Sequence, residues 1–423
     1  MMNDCVAELS AWLGSRDPEA FPYEAVVAEY HRATKQFVPE SVLAALHQVR
    51  ASLPGDPDPR MAELAAFLRT ALDKWDGSYD YPTYIALGLL PLPTFADAAG
   101  RPGEAACQRD RLVAMLVGDV LRFELAAEAG ETELFGEMRP PAEVVAKRCR
   151  LGLRVIRPAM GRLGLRDASS GDRGAGSGND PRAAARRTWQ SLERGLSAAE
   201  RRTLQLSILP VYRIHDEYMF IRVLQSYEAT FAFMAVTLCS GLQRLAEGDA
   251  EAAVRALGTA EAILRESAPL FSFLVTMPVS AFRIFRQFTD GASAIQSRNY
   301  KAVESLCSTP DQARLDSVAY LAVPEVRERV LEGQPDFDEA LRAGEATGRL
   351  SAPDRSAVLL AMDAFATTIL RWRQTHYRIA VRMLGDERGT GYTEGTPYLK
   401  AAREIPVFRS VPAPRAAEDG TAR

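Results

Sequence analysis

The sequence contains few histidines and cysteines and no paired metal-binding motif. Its 423 residues include four histidines and five cysteines, and no two cysteines form a Cys-x-x-Cys pair. This scatter favours reduced thiols over a disulfide framework or a cysteine zinc site. Chemistry that depends on histidine must therefore use His31, His47, His215 or His376.

The sequence also has no large excess of charge of one sign and no long apolar run. The net charge is −4, so no basic field indicates nucleic-acid binding. No run of 18 apolar residues occurs, so we expect no membrane-spanning helix. The N-terminus lacks the basic start and apolar run of a signal peptide. These absences predict a cytoplasmic protein that binds neither nucleic acid nor a membrane.

Strand patterns are absent, whereas helical patterns recur along most of the chain. Alternating β-branched residues never persist, but apolar residues at spacings of three and four are common. The sequence therefore predicts an all-α fold. Apolar residues make up 47% of the chain, which is enough for a full core, and the length suggests one large domain or two modest ones.

Breaks in composition divide the predicted helices into six segments. Pro- and Gly-rich stretches mark the boundaries. The most polar of these stretches is rich in Gly, Ser, Asp and Arg. We expect an N-terminal helical extension at 1–70, a short aromatic segment at 71–93, inserted helices at 94–165, a flexible linker at 166–185, a helical domain at 186–410 and a disordered tail at 411–423.

One predicted helix carries a histidine in the middle of its apolar face. A bare imidazole there needs a partner that offsets its desolvation. The partner is either a hydrogen-bonding neighbour, as for an ordinary core histidine, or a haem iron, whose usual axial ligand is neutral imidazole. The helix alone leaves both open. Seven residues define the face at alternating spacings of three and four: Met362, Phe365, Ile369, Trp372, His376, Ile379 and Met383.

A second candidate is Arg286, which lies among Phe282, Phe285 and Phe288. An arginine between aromatic residues is either a surface residue whose stem covers the rings or a buried anion clamp. In the second case the guanidinium fork matches the two oxygens of a carboxylate. The residue pattern leaves both interpretations open.

A glycine-rich loop follows the helix that carries His376. Four glycines lie between residues 385 and 395, together with Thr390, whose hydroxyl can donate or accept a hydrogen bond. The loop either closes over a ligand or is an ordinary helix end and surface turn. A phosphate-binding loop is excluded, because no Gly-Lys-Ser/Thr follows and no strand precedes it.

Two further features near the N-terminus are less specific. Tyr81 and Tyr84 belong to a short aromatic and apolar strip that is either core or the wall of a pocket for a flat substrate. His31 and His47 lie in charged, polar stretches, so we expect both to be solvated surface residues.

Four segments together resemble the tryptophan 2,3-dioxygenases, within the wider group of haem-dependent aromatic oxygenases. The resemblance covers roughly residues 75–92 and 205–410, and the last three segments keep the internal spacing of the family's motifs. In chain order the segments are YPTYIALGLL from Tyr81, HDEYMFIRVLQSYE from His215, FRQFTDGASAIQSRNYKAVE from Phe285 and WRQTHYRIAVRMLGDERGTG from Trp372.

The resemblance implies a helical-bundle haem domain with extra N-terminal and inserted helices. By position, His376 falls on the axial ligand of the haem iron and Arg286 on the arginine that pairs with the substrate carboxylate. Thr390 falls on the loop threonine that contacts the amino-acid end of the substrate, and Phe220 on an aromatic residue of the indole pocket.

The same resemblance implies self-association. Tyr81 and Tyr84 fall on tyrosines that come from a neighbouring subunit in the family and complete its substrate site. A homodimer or homotetramer with interlocked N-termini is therefore expected.

Several positions depart from the family's pattern. Leu224 stands where the dioxygenases have a distal histidine that bonds the indole N–H, and a leucine cannot accept that bond. Phe282 replaces a tyrosine, and Tyr392 stands where the loop has small residues. Ala380 excludes the His-x-x-x-Cys pattern that ties haem covalently in related tyrosine hydroxylases. No catalytic acid or base is assigned.

The resemblance therefore implies a haem-dependent oxygenase that uses haem b and O2 or peroxide. Its expected substrate is tryptophan or a related indole or phenol amino acid, in specialised metabolite biosynthesis. Dioxygenation and monooxygenation both remain open. The alternative is a catalytically inactive protein that binds haem or a small molecule and has kept the scaffold.

Overall fold

The computed structural model describes residues 4–54, 59–78, 80–98, 102–165, 180–289, 291–385 and 396–411. Over these ranges the chain is helical and forms no strand, and the isolated bridge between Glu137 and Ile214 joins two connecting segments. The predicted all-α fold is confirmed.

The helices are numbered in chain order, and short 3-10 turns at Pro18–Ala20, Leu87–Leu89 and Ala294–Gln296 lie between them. They are α1 Asp4–Ser15, α2 Tyr23–Ala33, α3 Glu40–Ala51, α4 Pro59–Ala71, α5 Tyr81–Tyr84, α6 Phe95–Ala98, α7 Pro102–Glu128, α8 Ala142–Arg162, α9 Pro181–Arg194, α10 Ala198–Leu206, α11 His215–Ala246, α12 Ala250–Glu266, α13 Ala268–Leu274, α14 Val279–Arg286, α15 Arg298–Cys307, α16 Gln312–Leu315, α17 Val318–Leu321, α18 Pro324–Leu331, α19 Phe337–Ala346, α20 Ala352–Leu384 and α21 Thr396–Glu404.

The two longest helices, α11 and α20, run through the main core and carry most of the residues discussed below. The start of α20 is fixed by a capping box, in which the Ser351 hydroxyl accepts the backbone N–H of Asp354 and the Asp354 carboxylate accepts that of Ser351. The helix ends at Gly385, whose φ of 61° is a conformation that glycine adopts without steric cost.

Helix α11 is buried along almost its whole length. By length and composition alone it could cross a membrane, as could the bent chain from α12 to α14 if it counted as one span. Within the protein, however, 72% of the most apolar window of α11 is already buried. Helices α12, α7 and α15 pack against it, which is the environment of a core helix.

The inserted helices α7 and α8 share the main core, and a buried charged network ties them to the start of α11. The Arg148 guanidinium on α8 lies 2.7 Å from Glu124 Oε1 on α7 and 2.6 Å from Asp216 Oδ1 on α11. His215 Nε2 lies 3.3 Å from Glu124 Oε2. All four side chains are completely buried, so the His-Asp-Glu start of α11 joins three helices.

The N-terminal helices form a smaller apolar core of their own that includes Leu206 and Leu209 from the chain before α11. Lys35 connects this layer to the rest of the molecule. Its ammonium lies 2.6 Å from Asp73 Oδ2 and donates to the carbonyl of Thr83, while its backbone N–H donates to the carbonyl of Pro210. The extension therefore holds the segment that carries α5 against the main core.

Three expectations from the sequence need correction. The predicted linker ends early, because α9 already begins at Pro181, where the Asp180 side chain accepts the N–H of Arg182 and proline suits the first turn. His31 is not a solvated residue, since it is part-buried with Nε2 2.9 Å from the carbonyl of Ile208. Val411, at the start of the predicted tail, is buried against the main core. His47 is exposed as predicted.

Candidate functional site

A cavity of about 260 Å³ lies between α11, α14 and α20, with α5, α13, α15 and α21 completing its wall. The structure brings together in this wall six of the residues singled out from the sequence. Thr390 and Tyr392 lie outside the described residues. The six are Tyr81, Phe220, Leu224, Phe282, Arg286 and His376.

His376 projects from the middle of α20 into an aromatic part of the cavity. Its ring centroid lies 5.3 Å from that of Trp372 and 6.2 Å from that of Phe271. Burial lowers the pKa of His376 to about 4, and over the described ranges neither ring nitrogen has a hydrogen-bond partner. The side chain is therefore a neutral imidazole with a free lone pair, which suits an iron ligand.

The wall opposite α20 is apolar and aromatic. The Phe220 ring on α11 lies 5.8 Å from Phe282 and 5.3 Å from Phe285, both on α14. Leu224 follows Phe220 by one helical turn and lines the same cavity. Arg286 is the last residue of α14 and lines the same cavity.

Another part of the wall carries an excess of positive charge. Lys301 Nζ lies 2.9 Å from Glu304 Oε2, and Arg314 Nε lies 2.9 Å from Glu304 Oε1. Arg373 instead donates to neutral acceptors, namely the Tyr300 hydroxyl at 2.7 Å and the carbonyl of Ile405 at 2.6 Å. Three positive charges and one negative charge leave an excess of two in this buried cluster.

The cluster perturbs its own ionisable groups. Burial lowers the pKa of Lys301 to about 8, against the attraction of Glu304. Burial alone would raise the pKa of Glu304, but Lys301 and Arg314 hold it below its usual range. Glu304 is therefore permanently ionised, and the two excess charges are available to an anionic ligand.

A buried carboxyl in the wall was missed by the sequence reasoning. Glu228 on α11 is completely buried, receives a hydrogen bond from the Tyr81 hydroxyl at 3.2 Å and another from Asn299 Nδ2 at 2.8 Å. Its place in the sequence contained a signal, because Glu228 follows Leu224 by four residues on an otherwise apolar helix face.

The structure gives the two N-terminal tyrosines different positions from those expected. Tyr81 lines the cavity, but Tyr84 does not: its hydroxyl donates to Glu217 Oε1 at 3.2 Å, near the start of α11. Both tyrosines are buried within their own chain. The physical reason is the N-terminal layer, whose Lys35 bonds the backbone between them at Thr83.

Comparison with known proteins gives the cavity a family context. The chain is 25% identical to tryptophan 2,3-dioxygenase of Bradyrhizobium diazoefficiens over 232 residues, which cover 47% of this chain and 83% of the relative. It is 27% identical to the Anaeromyxobacter sp. strain K enzyme over 233 residues (48% and 88%) and 25% identical to a Xanthomonas campestris pv. campestris enzyme over 227 residues (46% and 76%). No protein-family model matches the chain.

The chain is therefore similar to the tryptophan 2,3-dioxygenases, at 25–27% identity. The similarity spans most of each relative but about half of this chain, so a large part of the chain has no counterpart in those alignments. The donor set of its cavity fits a haem. His376 offers one unpartnered imidazole for an iron, and the Lys301 cluster offers two excess positive charges for two propionate carboxylates.

Proposed function

We propose that this protein is a haem-dependent oxygenase that acts on tryptophan or on a related aromatic amino acid with an indole or phenol ring. The main support for the proposal is that the candidate residues line one cavity. It combines His376, the guanidinium of Arg286 and an aromatic wall in a relative of the tryptophan 2,3-dioxygenases.

In this proposal the haem b is held at two places. His376 would bind the iron through its neutral imidazole, while Lys301, Arg314 and Arg373 would neutralise the propionates. The haem supplies the redox chemistry with O2 or peroxide that oxygenation of an aromatic ring requires. The contribution of the protein is to bind and orient the substrate and to exclude water from the cavity.

The substrate is positioned by a charged group at one end and by rings along its side. Arg286 pairs with the carboxylate of the amino acid, and Phe220 and Phe282 enclose its aromatic ring. Leu224 offers no acceptor to an indole N–H, so ring recognition rests on shape and apolar contact. Thr390 and Tyr392 of the glycine-rich loop remain proposed contacts to the amino-acid end.

Other parts of the assignment remain predictions of the resemblance. The altered positions 224, 282 and 392 support a modified or non-tryptophan substrate, as in specialised metabolite biosynthesis, and the composition supports a cytoplasmic location. A homodimer or homotetramer is still expected, although Tyr81 needs no partner chain to reach the cavity. Dioxygenation and monooxygenation remain alternatives.

The experiment that tests the function is a product-mass measurement. Haem-loaded protein is incubated with L-tryptophan, L-tyrosine and indole analogues, with O2 or peroxide. We expect a gain of two oxygen atoms for dioxygenation or of one for monooxygenation. Haem-loaded protein that binds these amino acids but oxidises none of them would instead favour the inactive binding protein.

The positive cluster gives a prediction about haem affinity. Lys301→Met should weaken haem binding by about 10–100-fold, because one charge-assisted contact is worth about 1.5–3 kcal/mol and the excess charge falls from two to one. The dissociation constant for haemin reports this. Lys400→Met, which removes an exposed lysine on α21, is the matched control and should leave the constant unchanged. Equal affinity in the native and Lys301→Met proteins would exclude the cluster as the propionate site.

A further inference from the structure

Helices α5 and α11 together form two tyrosine–glutamate pairs, with the tyrosines on α5 and the glutamates on α11. The Tyr81 hydroxyl lies 3.2 Å from Glu228 Oε1, and the Tyr84 hydroxyl lies 3.2 Å from Glu217 Oε1. All four side chains are buried. Tyr81 and Glu228 belong to the cavity wall, whereas Tyr84 and Glu217 do not. Glu217 also accepts the backbone N–H groups of Val211 and Tyr212. The chain thus contains its own internal control for a cavity-specific role.

The surroundings of Glu228 favour a carboxyl that carries a proton. Neutral groups contact it directly: the Tyr81 hydroxyl, the Asn299 amide and the Ser297 side chain. The charged group that acts on the pKa of Glu228 is Arg298, and its attraction is the smallest of the influences on that pKa. Burial raises the pKa of Glu228 above its usual value, although these hydrogen bonds oppose the shift.

The other carboxyl in the described wall is unsuited to the same task. Glu304 is ion-paired with Lys301 and Arg314, which keep it ionised. Leu224 has no exchangeable proton. Glu228 is therefore the carboxyl of the described wall that can hold a proton and connect to the cavity through a hydroxyl.

We propose that Glu228 and Tyr81 form a proton relay into the cavity, with Tyr81 as the group that meets the ligand and Glu228 as the positioning residue that supplies the proton behind it. This inference rests on the proposed oxygenase function. When Glu228 is protonated, its O–H donates to the Tyr81 oxygen across the same 3.2 Å contact, and the Tyr81 O–H is free to turn toward the ligand. The O–H proton of Tyr81 then passes to a basic oxygen or nitrogen atom of the ligand, while the proton of Glu228 passes to the Tyr81 oxygen. Tyr81 ends neutral, and Glu228 ends as a carboxylate stabilised by Asn299 and Ser297.

The kinetic test compares Glu228→Gln with the native haem-loaded protein, using L-tryptophan as the probe. Glutamine keeps the size, and its amide can still donate a hydrogen bond to the Tyr81 oxygen, but it cannot transfer that proton, so kcat should fall by about 10²–10⁴-fold while KM changes little. Because the relay needs protonated Glu228, native kcat should fall as pH rises through the pKa of that carboxyl. This alkaline limb should disappear in Glu228→Gln. An unchanged kcat and pH profile would overturn the relay.

Tyrosine variants separate a relay from a purely structural role. Tyr81→Phe should lower kcat as much as Glu228→Gln, and the double variant should be no slower than either single variant, since both break the same path. Tyr84→Phe removes the equivalent hydroxyl outside the cavity and should keep the native pH profile. A loss of rate in Tyr84→Phe equal to that in Tyr81→Phe would show that both pairs act through stability alone.

An infrared measurement tests the protonation of Glu228 independently of turnover. Burial also raises the pKa of Glu217 to about 8, so that carboxyl contributes a C=O band of its own at neutral pH. The difference spectrum of native protein minus Glu228→Gln should therefore contain a separate C=O band of a protonated carboxylic acid, which belongs to Glu228. The band should shift in Tyr81→Phe and not in Tyr84→Phe. Absence of the band would overturn the relay even if the oxygenase function stands. If no amino acid is oxidised but the band behaves as described, the relay stands and the proposed function fails.

Discussion

The His376→Ala protein should purify without haem and show no Soret band after addition of haemin. The physical reason is that the described cavity contains this one imidazole, with a pKa lowered to about 4, so that it is neutral and able to bind iron at physiological pH. Loss of the iron ligand leaves haem held by apolar contact and the propionates alone. Haem content per chain, read from the visible spectrum of folded protein, measures the effect.

Two comparisons make this result specific. In His376→Gly, added imidazole should occupy the space left by the side chain and restore the band. His31→Ala should keep haem, because His31 contacts the Ile208 carbonyl and lies outside the cavity wall. A native band in His376→Ala would mean that another group binds the iron.

Arg286→Ala should retain haem but bind L-tryptophan about 2–5 kcal/mol more weakly, which is a loss of about 30-fold or more. Arg286 is the last residue of α14 and lines the same largely apolar cavity as Phe220 and Phe282. A carboxylate bound there has lost water, so the removal of its partner leaves a desolvated charge. Titration of the haem-loaded protein, followed by the change in the Soret band, gives the affinity.

The control for this substitution lies on the same helix. Arg283 is exposed, and its guanidinium donates to the carbonyls of Met383 and Leu384 at the end of α20. Arg283→Ala should therefore lower stability slightly and leave amino-acid affinity near the native value. Unchanged affinity in Arg286→Ala would show that the carboxylate binds elsewhere.

The helices followed from spacing in the sequence, whereas the candidate site followed from the resemblance to the tryptophan 2,3-dioxygenases. The apolar stripe around His376 and the regular spacing from Phe220 along α11 are strong signals, because one buried face of a helix repeats every three to four residues. In the structure residues of both stripes line the same cavity. Spacing alone identifies each buried face but not the helix that packs against it.

Other parts of the site depend on tertiary contacts that no local pattern contains. Lys301, Arg314 and Arg373 come from separate segments, and each alone has the appearance of a surface charge. Tyr84 is three residues from Tyr81 but turns toward Glu217 rather than the cavity, because α5 is a single short helical turn. The Lys35 contacts that hold this turn join positions more than forty residues apart.

The most direct test of the central claim, that one cavity takes up haem on His376, is a haemin titration of the native protein. The account predicts saturation at about one haem per chain, with the spectrum of an imidazole-bound haem that changes when L-tryptophan is added. A protein that remains colourless, or takes up haemin with the same spectrum and affinity as His376→Ala, would contradict it.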